Sequence, residues 1–280
     1  MNRPIAGLLL SALSAALISP AAAAGTMKDC SGVLRSPDNG AAIECLQPYA
    51  DAGDAHAEML LGTVYGTVNL PTYDAEKSAF WTRKAAEGGD IDAQVMLGHL
   101  YRQGQGVPKD LTEALRWFRT AADRGNQDAE VELSTMYLKG WGTPKDAAQA
   151  VIWARKAAGQ QGPMTVWAEQ ALADFYFKGE GVPRDQAEAV RWFRKAASHG
   201  SPTAYLYLAQ LDEIGPEGAP NLYEAYVGYS ISLAWLQSQG VSAKVTDFVA
   251  KHRDGVAAGL SPEEKAKADG VVRERQGQVR

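Results

Sequence analysis

Cysteine, histidine and surplus basic charge are all scarce in this chain. Two cysteines in 280 residues exclude a disulfide-stapled mini-scaffold and a four-cysteine zinc site. The four histidines, His56, His99, His199 and His252, are scattered without metal-ligand spacing. Lys and Arg number 28 against 33 Asp and Glu, a formal charge of −5, which excludes the net basic stripe of a nucleic-acid binder. Beyond the N-terminus no run is long and apolar enough to span a bilayer. The Gly-x-Ser-x-Gly elbow and the Ser-x-x-Lys pair of serine-nucleophile enzymes are missing. Apolar residues are not scarce: 46% are hydrophobic against 22% charged, enough for a packed core and too many for a disordered chain.

The N-terminus reads as an address. Arg3 precedes an apolar stretch over residues 5–18, Pro20 breaks it, and Ala21 to Ala24 supply small residues for cleavage. This pattern predicts a signal peptide over 1–24 and places the mature chain in the periplasm or outside the cell. Without Arg3 the remaining chain carries 27 basic against 33 acidic side chains. In such a compartment Cys30 and Cys45 are expected to pair, closing a loop of 15 residues and stapling an N-terminal half repeat over 25–52.

What dominates the rest is a period. Tyr65, Tyr101, Tyr137 and Tyr176 are spaced by 36, 36 and 39 residues, and Trp81, Trp117, Trp153 and Trp192 keep the same intervals. So do Ala57, Ala93, Ala129 and Ala168, with Ala204 36 further on. A three-residue insertion near 160–165 accounts for the longer step. Within a unit, Ala93, Leu97 and Tyr101 form one stripe of a helix, and Gly104-Gln105-Gly106-Val107-Pro108 stops it. Asp110 with Glu113 starts the second helix, in register with Asp74, Asp146, Asp185 and Asn221. That helix carries Trp117, Phe118, Ala121 and Ala122 as inter-repeat core. Recurrence at the repeat period makes the Gly-x-Gly pairs turns rather than phosphate loops, since they follow helices and not strands. Two short helices cannot bury this stripe alone, whereas stacked copies can. The end unit departs from the pattern: Asp212 stands at the tyrosine position and Gly228 at the tryptophan position.

The run from Leu97-Gly98 through Tyr101, Gly104-x-Gly106-Val107-Pro108, Asp110, Glu113-Ala114, Trp117-Phe118 and Ala121-Ala122 to Gly125 resembles the Sel-1-like repeat, a relative of the tetratricopeptide repeat. Gly179 to Asp185 and Trp192 to Ala197 are similar to it again. The resemblance covers residues 53–240 as units 53–88, 89–124, 125–163, 164–199 and 200–240, with capping helices over 241–280. It implies an all-α, right-handed solenoid of about five helix-turn-helix repeats. It also implies a non-catalytic module that binds a protein or peptide of the cell envelope on its concave face without a cofactor. In similar proteins such modules serve envelope assembly, exopolysaccharide export or sensor regulation. Some cysteine-rich secreted relatives are associated with weak penicillin binding or β-lactamase activity, which leaves a secreted effector or weak hydrolase acting on a cell-wall or drug-like ligand as the alternative. Those relatives carry a cysteine pair in each repeat, and this chain has none there.

Angular position selects the candidate binding face. With Leu172 in the core, Trp167, Asp174 and Lys178 fall on the opposite side of their helix, flanked by Gln170 and Phe177. Matching positions in the other units are Met59 and Thr63, then Asp92, His99 and Gln103, then Asp128, Thr135 and Lys139. An exposed Trp and Phe beside Asp and Lys has the composition of an interface.

Overall fold

The computed structural model describes residue 30 and residues 39–68, 71–215 and 219–277. The expected signal peptide, 1–24, lies outside the described residues, as does most of the segment between the two cysteines. The described residues form thirteen helices and no strand. They are α1 (Asn39–Asp51), α2 (Ala55–Gly66), α3 (Ala75–Glu87), α4 (Ile91–Gln103), α5 (Leu111–Ala122), α6 (Gln127–Lys139) and α7 (Ala147–Ala158). There follow α8 (Thr165–Lys178), α9 (Gln186–Ser198), α10 (Pro202–Ile214), α11 (Leu222–Ser238), α12 (Ala243–Ala257) and α13 (Pro262–Gln276). None is long and apolar enough to cross a membrane. The chain divides into two compact units, residues 1–94 with 105–107, and residues 95–104 with 108–280.

The helix starts follow from side-chain caps. An Asp or Asn oxygen satisfies orphan amides of the first turn. Asp74 accepts from Lys77 N–H, Asp110 from Thr112 and Glu113, Asp146 from Gln149, Asp185 from Glu188, and Asn221 from Glu224. Each cap residue also donates its own N–H, at 2.8–3.0 Å, to the carbonyl of the tyrosine position nine residues earlier: Tyr65, Tyr101, Tyr137, Tyr176 and, in the last repeat, Asp212. That bond ties the two helices of a hairpin together whatever side chain stands there. The first helices are capped by Asp54, Asp90, Asn126 and Ser201. Of the first helices of the repeats, α8 alone opens without a side-chain cap, at Met164, where the insertion falls, and beyond the repeats α12 also lacks one at Ser242.

In the first unit, α1 packs on α2 and α2 on α3. Cys30 is bonded to Cys45 with Cα atoms 5.8 Å apart, and both lie with Leu46, Leu61, Val64 and Trp81 in one apolar cluster. Gly106 sits on the N-terminus of α3 with φ 66°, so close that any Cβ would overlap the Ala75 carbonyl. Only glycine satisfies both the backbone angle and the approach.

In the second unit, α6 packs with α7, α8 with α9 and α10 with α11, while α12 and α13 both pack on α11. Gly142 meets the Leu111 carbonyl, and Gly181 the Ala147 carbonyl, as Gly106 meets that of Ala75. Trp117 and Trp153 are buried and Trp192 is half-buried against its neighbours. Leu97, Leu133 and Leu172 are fully buried beneath them. Small residues let the paired helices close up: Gly98 lies so near Phe118 that a Cβ would stand 2.8 Å from its ring.

Candidate partner-binding face

In the first unit, Met59 is half-buried and Thr63 exposed on α2, and Thr63 turns its hydroxyl back to the Met59 carbonyl at 3.1 Å. Asp92, in the first turn of α4, is exposed. Thr63 and Asp92 offer polar atoms there and Met59 an apolar thioether.

The second unit holds the rest. His99 is half-buried, with its ring edge-on to Phe118 at 5.0 Å. Arg102 donates to its Nδ1 at 3.1 Å and to Glu132 at 2.8 Å. A guanidinium only donates, so Nδ1 is an acceptor and the neutral ring carries its proton on Nε2. Burial, with help from the Arg102 charge, holds the imidazole down to about 4. Burial raises Glu132, and Arg102 opposes the shift. His99 is therefore a fixed, neutral member of a bridge from α4 to α6. Gln103 and Lys139 are exposed, Asp128 and Thr135 half-buried, and Thr135 bonds back to the Val131 carbonyl.

On α8, Trp167 is 66% exposed, the most open aromatic side chain among the described residues. Gln170 accepts from Ser201 at 3.1 Å. Both border a groove of about 1140 Å³ that the insertion loop, His199, Thr203 and Trp235 also line. Asp174, Phe177 and Lys178 stand elsewhere on the helix and do not line it. Phe177 is half-buried, packed near Tyr207 at 6.1 Å and beneath Arg184 at 5.8 Å. Asp174 keeps one buried oxygen without a hydrogen bond. Burial raises its carboxyl, countered by Lys178.

The insertion is a built loop. Buried Gln127 donates to Ala157 O at 2.9 Å and Thr165 Oγ1 at 3.0 Å, and accepts from Met164 N–H at 3.1 Å. Thr165 in turn donates to Gln160 O and accepts from Gly162 N–H. On the neighbouring helix, fully buried Glu169 is held by His199 at 2.8 Å and Lys195 at 3.7 Å. Gln127 and Glu169 were not singled out by sequence patterning. Glu169 carries a detectable signal, since Glu58 and Glu130 occupy the same register. The face offers an aromatic plane, amides and hydroxyls. Among the described residues no group of three His, Cys, Asp or Glu side chains is placed to hold a metal ion.

Helix hairpins capped in register, closed by Gly-x-Gly turns and joined by small-residue contacts define a tetratricopeptide-like class of interaction module. Comparison then gives the family. The Sel1 repeat model matches residues 55–90, 91–126, 127–161 and 168–201, half of the chain, and the chain belongs to the Sel1 repeat family. The gap between the last two matches, residues 162–167, overlaps the insertion loop. A protective antigen present in uropathogenic Escherichia coli strains, displaying an SLR fold, superposes with TM-score 0.68 at 26% identity over 84% of this chain. This chain spans 55% of that protein's length. A Sel1 repeat protein from Oxalobacter formigenes superposes with TM-score 0.66 at 29% identity, covering 75% of this chain and 84% of its own. No curated protein matches the chain in sequence. Sel1 repeat proteins are generally non-catalytic scaffolds for protein interaction.

Proposed function

We propose that this chain is an exported adaptor that holds a protein or peptide of the cell envelope on the face carrying Trp167. On this reading, residues 1–24 are removed and the mature module begins with the half repeat that Cys30 and Cys45 staple. Its place is in envelope assembly, exopolysaccharide export or the regulation of a membrane sensor. The exposure of Trp167 carries the reading: a large ring left in water at the edge of a groove, on a helix whose start is pinned by Gln127. Aromatic residues on a rigid support are the usual anchors of an interface. The disulfide supports export, because such bonds persist in oxidising compartments.

The test is Trp167→Ala. Truncating an exposed side chain costs under about 0.5 kcal/mol of stability, whereas losing an interface anchor costs about 2 kcal/mol or more of affinity. Melting temperature and partner recovery from an envelope extract should separate, and a photo-reactive group at position 167 should crosslink to the recovered partner. Undiminished recovery would move the interface elsewhere. Phe177 is unsuitable for the same test, because its packing against Tyr207 makes Phe177→Ala a stability variant as well.

A further inference from the structure

The last repeat loses both aromatic rings that fill the earlier ones. Asp212 stands at the position of Tyr176 and Gly228 at that of Trp192. The loss has a visible consequence. Leu208 takes the register of Leu97, Leu133 and Leu172, all fully buried, yet is only half-buried itself. Without a side chain at 228, α11 also closes on α10, where a Cβ would stand 2.7 Å from Tyr205 O and 2.9 Å from Ala209 Cβ. Beside that approach a cavity of about 510 Å³ opens, bordered by Leu208 and Gly228. Its size lies within the range of roughly 300–1,000 Å³ usual for small-ligand sites.

The lining is charged with both signs. In the preceding repeat junction, Arg155 donates to the Tyr176 hydroxyl at 2.6 Å and lies over its ring. Arg194 and Asp212 stand at the equivalent positions, and both line the cavity. Neither side chain makes a hydrogen bond or ion pair among the described residues. The two further charges, Arg275 and Glu224, are joined to each other at 3.4 Å. What remains is one cation and one carboxylate that face a common space and feel each other's charge without a hydrogen bond or ion pair between them. Burial and the nearby Glu224 raise the Asp212 carboxyl, and Arg194 counters them, so a cationic group would complete that site electrostatically.

We infer that this cavity binds a small zwitterion of amino-acid or dipeptide size, its carboxylate on Arg194 and its ammonium group on Asp212. The inference is separate from the partner-binding reading, since neither residue belongs to the Trp167 groove. Alanyl-alanine, its N-acetyl form and its C-terminal amide, titrated into the folded chain and followed by amide NMR shifts, provide the test. The free dipeptide should saturate one site around Arg194, Asp212 and Gly228, and each blocked form should bind at least about tenfold more weakly. Asp212→Asn should abolish discrimination against the acetylated form, and Arg194→Gln discrimination against the amide. Trp167→Ala should leave binding unchanged, so the two readings fail independently. Absence of saturable shifts with all three probes would overturn the inference. So would equal binding of all three, or binding indifferent to both charge variants while circular dichroism shows them folded.

Discussion

Glu58, Glu130 and Glu169 follow the first register alanine of their repeats, and all three are buried. A buried carboxylate is costly unless paired, and each has a basic side chain 26 residues on: Lys84, Lys156 and Lys195. Lys84 stands 3.9 Å from Glu58 and Lys195 3.7 Å from Glu169, while Glu130 takes a 2.7 Å bond from Gln160. Burial still raises Glu58 and Glu130, against Lys84 in one case and Gln160 with Lys156 in the other. The last repeat has Tyr205 at this position, with Ile231 26 residues on, and the second has Gln94, with Thr120 26 residues on, its neutral amide bonded to Ala86 O at 3.2 Å. Charge is absent where the matching cation is absent. His99 gives the residue-scale prediction. Its folded pKa of about 4 lies below the ordinary 6.5, so as pH falls the unfolded chain takes up the proton first. Its contribution to stability is complete above about 6.5 and declines as pH falls toward about 4. Imidazole NMR should show an Nε2–H tautomer at neutral pH and a midpoint near 4. A midpoint at the ordinary value would mean that the Arg102 bridge does not hold the ring.

Among the elements, the hairpins and the place of the insertion were legible, and what holds the insertion loop was not. The caps at Asp74, Asp110, Asp146, Asp185 and Asn221 are local, each reaching an amide two or three residues on, so a sequence period reveals them. Trp167 was legible in the same way, because helix geometry alone puts it opposite Leu172. The groove beside it depends on Gln127, whose bonds span 30 to 38 residues and leave no local signature. Asp212 and Gly228 stood out as departures from the pattern, but the cavity they border also takes Arg275 from a helix outside the period. Gln127→Ala should therefore act on an element rather than a point. It leaves Met164 N–H, Ala157 O and Thr165 Oγ1 short of a partner, a loss of about 1–3 kcal/mol for such buried groups. Hydrogen exchange should quicken over residues 159–165 while α6 and α7 keep their protection. Unchanged exchange in the loop would show that Thr165 and Gln160 suffice to hold it.

At the scale of the whole molecule, a repeat chain gains stability mainly between neighbours, so a local perturbation should stay local. The Cys30–Cys45 bond closes a loop of 15 residues, for which the chain-entropy model gives about 3 kcal/mol. The bonded pair packs with Leu46, Ala50, Leu61 and Trp81, all in the first compact unit. Cys45 sits on α1, the half repeat that packs on α2, and α1 has no preceding helix among the described residues to cover it. Reducing the bond frees the segment carrying Cys30 and removes one wall of that cluster. Hydrogen exchange measured before and after reduction should rise over residues 39–68. The amides of α9 and α11, which pack around Phe193 and Tyr229, should keep their rates. Cys30→Ser with Cys45→Ser should reproduce the pattern without reductant. A uniform loss of protection along the chain would mean that the repeats unfold as a single cooperative body, whereas no change over 39–68 would mean that apolar packing alone secures α1.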